Sequence, residues 1–288
     1  MRFFIFSIIF FLAAINIATA QVPTEKTLLW EVSGNGLQKP SYLFGTLHLI
    51  CPSDLNMSKE VVQRFRTTKQ LYLEVDMDDP NMMTEFMQGM QMHDGSTLQG
   101  LLKDDFDSVN SVFTKKTGLP LNMLNSAKPF MLVSMIYPSL LECQPVSLEG
   151  EFMKLAKDSS MEVHGLEFVA DQVKVFEKIP YDVQASMLKR TLFNMDSAKT
   201  AFNEILQVYK QKDIKKMHDL STSDPDFGKY ENSLLNNRNQ SWIPIIGEQA
   251  KKMPTFFAFG AGHLGGEEGV ISLLRKNGFT VKPVMYKD

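Results

Sequence analysis

The sequence predicts an α/β (α+β) fold, in which a central mixed sheet is flanked by many helices. Six short runs are rich in apolar, β-branched and aromatic residues and end at turn signals, as strands do. The longer stretches between them have the apolar spacing of amphipathic helices. The chain also falls into two pseudo-repeat halves, because a strand followed by the motif G-x-x-H occurs at Gly45 to His48 and again at Gly260 to His263.

Local patterns place these elements along the chain. The first two strands flank the turn Gly34-Asn35-Gly36, which predicts a hairpin. The last strand contains Pro283 and is predicted at a sheet edge, because proline cannot donate to a central ladder. The predicted strands cover 27–33, 41–44, 70–75, 162–166, 255–259 and 280–285. Helices are predicted over 54–68, most of 81–145, 148–159, 170–179, 181–221, 232–251 and 269–277.

The first 20 residues have the three parts of a secretory signal peptide. Arg2 supplies a positive charge, an apolar run covers residues 3–15, and Ala18-Thr19-Ala20 provides a cleavage site. The run is shorter than the ~20 residues of a membrane-spanning helix. An uncleaved anchor is the alternative, which the A-x-A site disfavours. We therefore expect a signal peptide at 1–20 and a single domain at 21–288, exported to the periplasm or the medium.

The charge balance of the chain argues against a nucleic-acid partner. Loss of Arg2 changes the formal net charge from −3 to −4, since residues 1–20 hold no other charged side chain. This mildly acidic chain lacks the basic excess typical of nucleic-acid binding. The sequence predicts no membrane span in the mature chain and makes no prediction of oligomeric state.

The chain has two cysteines, Cys51 and Cys143. An even number in an exported chain favours a disulfide. Two buried thiols are the alternative. Neither cysteine lies in a C-x-x-C motif, so redox catalysis is not indicated.

Four polar side chains lie at or just beyond the ends of predicted strands: His48, Glu74, Glu167 and His263. Ligands of open α/β sheets bind at the carboxyl ends of strands. Two histidines with one or two carboxylates form a donor set suited to Zn, Mn, Fe or Co. The pattern therefore indicates a shared metal site, although a histidine after a strand also fits an ordinary loop residue.

Three further positions support this interpretation. Gly45 and Gly260 open the two G-x-x-H motifs, where glycine permits a tight turn or a close backbone approach. Asp76 follows Glu74 by two residues and so shares its side of the strand, which makes it a reserve ligand.

The chain resembles the TraB/GumN family. The resemblance rests on five segments in the family's order: LLWEVSGNGLQKPSYLFGTLHL, LYLEVDM, GLEFVADQ, LLNNRNQSW and FFAFGAGHLGGEEGVISLLRKNGFTV. Together they cover nearly all of the chain after residue 20. The family is similar to Tiki proteases, metal-dependent peptidases that act on secreted signalling proteins. One departure is Pro129-Phe130, where many relatives have Pro-Trp, at an expected packing position.

The resemblance implies roles for individual residues. The family's G-x-x-H pair matches the motifs of His48 and His263. Its strand-end glutamate matches Glu74, its GLE segment ends at Glu167, and its Arg-Asn pair matches Arg238-Asn239.

The resulting functional prediction is an exported metal-dependent hydrolase, specifically a peptidase. His48 and His263 would bind a divalent Mn, Co or Zn ion, and one of Glu74 and Glu167 would complete the ligand set while the other acts as general base. Arg238 would hold a substrate carboxylate or the oxyanion. Its alternative role is a salt bridge to one of these glutamates.

A peptide or protein is the expected substrate. The rival prediction is a non-catalytic peptide-binding or signal-sequestering protein, with the methionine-rich helical region as an adaptable grip. A haem- or phosphate-ester-handling enzyme is a third alternative, but there is no glycine-rich phosphate loop in the sequence to support it.

Overall fold

A computed structural model describes residues 22–55, 57–224 and 228–287. The predicted signal peptide lies outside these residues. Within them, every helix is too short or too polar to cross a bilayer.

Six strands form one mixed sheet in the order β4-β3-β5-β2-β1-β6. The prediction of a mixed sheet flanked by helices is confirmed, and all six predicted strands are present. The hairpin of β1 and β2 is antiparallel, and so is the pairing of β1 with the edge strand β6. The other neighbours, β2, β5, β3 and β4, run parallel. The bounds are β1 Leu29–Gly34, β2 Ser41–Thr46, β3 Gln70–Val75, β4 Glu162–Glu167, β5 Thr255–Gly260 and β6 Phe279–Pro283.

The α-helices of the described residues follow the predicted order, but the stretch 181–221 is three helices rather than one. Asn194 leaves the helical region (φ −122°, ψ 48°), and Lys212 has φ +57°. Asp213 then caps the next helix through Lys216 N. The bounds are α1 Lys59–Arg66, α2 Met82–Gly89, α3 Leu98–Leu102, α4 Phe106–Thr117, α5 Pro129–Ile136, α6 Leu148–Asp158, α7 Val169–Phe176, α8 Tyr181–Phe193, α9 Met195–Lys210, α10 Ile214–Ser223, α11 Asn237–Lys252 and α12 Val270–Lys276.

Aromatic side chains pack between the sheet and the helices α1 and α6. Phe44 of β2 and Phe256 of β5 contact Phe152 of α6 with ring centroids 5.2 and 5.0 Å apart. Phe65 of α1 packs 5.2 Å from Phe256. Each such pair contributes ~0.5–1.5 kcal/mol beyond its buried area. A second apolar cluster lies among α3, α4, α5 and α8.

The predicted disulfide forms between Cys51 and Cys143, whose Cα atoms are 5.8 Å apart. It joins the segment after β2 to the segment before α6, which an isolated bridge between Ile50 and Val146 also pairs. The two cysteines are 92 residues apart in the sequence, so the cross-link closes a long loop. Closure of a loop of this size stabilises the fold by ~4 kcal/mol on the chain-entropy model.

Candidate functional site

The sheet brings the four predicted strand-end side chains to one edge. The strands that precede them are parallel neighbours, with Thr46 opposite Gly260 and Val75 opposite Glu167. Parallel strands end at the same edge, so these residues share it. Gly45 permits this approach, because a Cβ there would lie 2.7 Å from Leu264 and 3.0 Å from Ala261 in the turn that carries His263.

Arg238 of α11 lies at the centre of this edge. Its Nη2 donates to Glu74 Oε2 and to Glu167 Oε1, both at 2.6 Å. Its Nε lies 3.1 Å from both oxygens of Glu167. The side chains of Arg238, Glu74 and Glu167 are 11%, 8% and 8% exposed. The alternative prediction of a salt bridge is therefore what the structure shows, and Arg238 bridges both glutamates. A π-helical turn, Asn232–Asn236, precedes α11, a rare feature that is frequent at functional sites.

The two glutamates have different surroundings. Desolvation by itself would raise the pKa of Glu74, but the Arg238 charge and the Gly260 N–H, at 2.8 Å, hold it well below its ordinary value. Gln172 adds a hydrogen bond at 3.0 Å. At Glu167, desolvation and the nearby Glu74 charge raise the pKa despite the bonds from Arg238. Environments that separate two carboxyl pKa values are typical of acid–base sites.

His263 is buried and has a fixed tautomer. Its Nδ1 lies 2.6 Å from Asn239 Oδ1, and Asn239 Nδ2 donates to the carbonyl of Glu268 at 2.8 Å. The amide oxygen therefore faces the ring, so Nδ1 carries the proton and Nε2 has a lone pair. Arg238 Nη1 donates to that nitrogen at 3.2 Å. Desolvation and the Arg238 charge lower the pKa of His263 to about 3, which keeps the ring neutral.

His48 is held by a residue that the sequence analysis did not select, Glu149 of α6. Glu149 Oε1 lies 2.9 Å from His48 Nδ1 and accepts from Thr46 Oγ1 at 2.5 Å. The His48 side chain is 66% exposed, whereas that of Glu149 is buried. Desolvation lowers the pKa of His48, but the charge and hydrogen bond of Glu149 outweigh it, so the pKa lies above its ordinary value. Solvent around the ring screens this attraction.

Sequence position explains why Glu149 was missed. An acidic residue in the first turn of a helix is ordinarily explained by the helix dipole. Here Ser147 caps the helix by accepting from Gly150 N at 2.9 Å. The Glu149 carboxylate is instead turned inward, and its Oε2 is buried with no hydrogen-bond partner among the described residues.

The donor set fits a transition-metal ion in type and tautomer. Each histidine has its Nδ1 held by a helix side chain, which leaves Nε2 as the ligand nitrogen, the usual arrangement at metal sites. Both glutamates already have both oxygens bonded: Glu74 accepts from Arg238, Gln172 and the Gly260 N–H, and Glu167 accepts from Arg238 and Trp242. No three His, Cys, Asp or Glu side chains of the described chain are grouped to hold an ion, and Arg238 Nη1 occupies the lone pair of His263 Nε2.

Two other predicted positions have local roles. Asp76 accepts the backbone N–H of Asp78 at 3.3 Å, so it is part of the loop after β3. Desolvation and Asp78 raise its pKa to about 6. At Gly260, a Cβ would lie 3.2 Å from Glu74 Oε1 and 3.7 Å from His263 Cδ2. The absence of a Cβ at Gly260 lets the Glu74 carboxylate and the His263 ring lie close to the backbone.

The fold and site define a mixed α/β protein with two histidines, two glutamates and an arginine at the carboxyl edge of its parallel strands. The chain belongs to the TraB/PrgY/gumN family, whose model matches residues 28–283. The family predicted from the sequence motifs is thereby confirmed. The chain is also similar to the metalloprotease TIKI2 of Danio rerio, at 22% identity over 313 aligned residues. That alignment covers 89% of this chain and 60% of the relative, so the chain spans about three fifths of the relative's length. Comparison with solved structures gives no significant match.

Proposed function

We propose that the protein is an exported metal-dependent hydrolase that acts on peptide bonds. The observation that carries this proposal is the matched support of the two strand-end histidines. Glu149 holds His48 and Asn239 holds His263, in both cases through Nδ1. Carboxylate and amide partners of this kind orient metal-bound imidazoles. The similarity to a metalloprotease agrees with this chemistry.

His48, His263 and Glu74 are the residues that would hold the metal. A bound divalent ion supplies an acidified water and polarises the scissile carbonyl. Arg238 Nη1 and the ion compete for the same nitrogen of His263, so binding of the ion requires that 3.2 Å contact to open.

The chain's own groups supply the remaining functions. Glu167 is the carboxyl with the raised pKa, so it is the better acceptor and donor of the reacting proton near neutral pH. Arg238 keeps Glu167 in place with three hydrogen bonds and places a fixed positive charge at the centre of the site. Such preorganised charge stabilises an oxyanion.

Metal content tests the proposal. The mature chain, purified without chelator or histidine tag, should contain about one equivalent of Mn, Co or Zn by elemental analysis. The double variant His48→Ala/His263→Ala should lose it, whereas His93→Ala, at an exposed loop histidine, should retain it. Absence of metal in the wild type after reconstitution with all three ions would overturn the proposal.

A second candidate function is peptide binding without turnover. The observation in its favour is that Arg238 already neutralises much of the charge of Glu74 and Glu167 without an ion. Chelation separates the two functions: EDTA should abolish hydrolysis by a metalloenzyme but leave simple peptide binding intact.

Export is part of the proposal. The signal-peptide pattern of residues 1–20 supports it, and so does the disulfide, a bond that persists in oxidising compartments. An intact mass of the exported protein that begins at Gln21 would support it. A chain that keeps its first 20 residues in the cytoplasm would contradict it.

A further inference from the structure

A groove between α7 and α11 opens from the candidate site. Its volume is about 570 Å³, within the range of ~300–1,000 Å³ that is usual for ligand clefts. Glu167 and Arg238 line the end of the groove next to the candidate site, which we call its head. The groove is therefore continuous with the proposed active centre.

The groove leads away from the sheet edge. α7 begins at Val169, directly after β4, and α11 ends at Lys252, shortly before β5 begins at the opposite edge. The α7 side of the groove extends from Phe168 to Lys178. The 8 residues of α7 account for roughly 12 Å of this, at ~1.5 Å of rise per helical residue. That length accommodates about four extended residues at ~3.3 Å each.

The walls of the groove combine apolar and basic side chains. Phe168 is 75% exposed at the head, directly after Glu167. Val175 and Ile245 are half-buried and line the groove farther along. Together these three side chains give the groove an apolar lining beside the polar centre, as is usual for ligand clefts.

Two lysines lie on the α7 side of the groove. Lys174, next to Val175, pairs with Asp171 at 3.5 Å, and Lys178 lies in the turn after α7, at the distal end. This end of the groove therefore favours a negatively charged partner.

We propose that this groove binds an extended segment of a peptide substrate next to the scissile bond. A large apolar side chain of the segment packs against Phe168, Val175 and Ile245, and an acidic side chain or terminal carboxylate lies near Lys178. The inference rests on the proposed peptidase function and adds the class of substrate to it.

Cleavage-site mapping tests the groove. The probe is carboxymethylated insulin B chain, digested with the metal-loaded protein and mapped by mass spectrometry. Wild type should cleave where a large apolar residue lies within four residues on one fixed side of the bond. Phe168→Ser and Ile245→Gln should each raise KM about tenfold, the lower end of the effect of an apolar pocket. They should also weaken the apolar preference, with kcat changed less than KM. Phe193→Ser, at an exposed aromatic of α8 outside the groove, should behave as wild type.

The outcomes separate the two proposals. If wild type cleaves the B chain and both groove variants keep its KM and cleavage sites, the groove proposal fails and the peptidase function stands. If wild type does not cleave it, metal content decides on the peptidase function, and fluorescence anisotropy with fluorescein-labelled B chain decides on the groove. Binding that both variants weaken about tenfold would support the groove, and equal affinity or no binding by wild type would overturn it.

Discussion

Replacement of Arg238 by methionine is the sharpest test of how the site is held together. The substitution keeps an unbranched side chain of similar length and removes the guanidinium. It leaves Glu74 and Glu167, each 8% exposed, without the cation that bridges them. Two buried like charges then face each other, and protonation of one carboxyl relieves the repulsion in the metal-free protein.

The size of the effect follows from that burial. Removal of one partner from a buried ion pair costs ~3–5 kcal/mol. For a chain of this length each kcal/mol corresponds to about 2–4 °C in Tm, so the expected loss is roughly 10 °C. Arg238→Lys keeps the charge but not the planar fork that reaches both glutamates. We expect it to cost about half as much.

The pH dependence of stability should also change sign. In the wild type the pKa of Glu74 is held below its unfolded value, so its contribution is present above that value and is lost on acidification. In Arg238→Met the folded pKa values of the carboxyls rise above the unfolded ones. The contribution of these carboxyls to the free energy of unfolding is therefore greatest at low pH and is lost as the pH rises through about 4.3 and above.

Guanidinium unfolding of the wild type and variants between pH 2 and pH 8 measures both effects. Arg64→Met is the matched control, because Arg64 pairs with Glu60 one helical turn away at a partly exposed position. Its loss should be at most ~1 kcal/mol. A loss at Arg238 as small as that at Arg64, with an unchanged pH slope, would refute the account of the buried cluster.

Three further predictions concern the supports of the site. Glu149→Gln should lower stability by ~1–2 kcal/mol, since two charge-assisted hydrogen bonds become neutral. It should also weaken Mn or Co binding about tenfold, and an unchanged Kd in a metal titration would contradict this second effect. The neutral, buried His263 should make stability fall as the pH drops from 6.5 towards 3. His263→Gln should flatten the free energy of unfolding between pH 7 and pH 5, and a slope equal to that of the wild type would count against the assigned pKa. Cys51→Ser/Cys143→Ser should lose ~3–4 kcal/mol in thermal unfolding, and an unshifted Tm would show that the bond contributes little.

The sheet could be predicted because its signals are local. Each strand is a short apolar run with a turn at its end, and Pro283 marks the edge by its missing N–H. The shared edge of His48 and His263 followed from one rule, that parallel strands end together. The break in 181–221 was missed because it depends on single residues, such as Lys212 with its positive φ.

The partners within the site could not be predicted from local patterns. Arg238 and Glu167 are 71 residues apart, and the sequence offered their salt bridge only as the alternative role of Arg238, without the second bridge to Glu74. Glu149 is 101 residues after His48 and has the ordinary sequence context of a helix start. Only the disulfide and the bridge between Ile50 and Val146 show why these two residues meet, since both join the β2 end to the α6 start.

The two G-x-x-H motifs are equivalent in sequence but unequal in chemistry. His48 is exposed and has a carboxylate partner, so its ring is readily charged. His263 is buried, has an amide partner and faces Arg238, so its ring stays neutral. His48 Nε2 would therefore be the more accessible ligand nitrogen, because Arg238 Nη1 already contacts His263 Nε2 at 3.2 Å. The helix residues Glu149 and Asn239, rather than the motifs themselves, set this difference, because each determines the environment of one Nδ1.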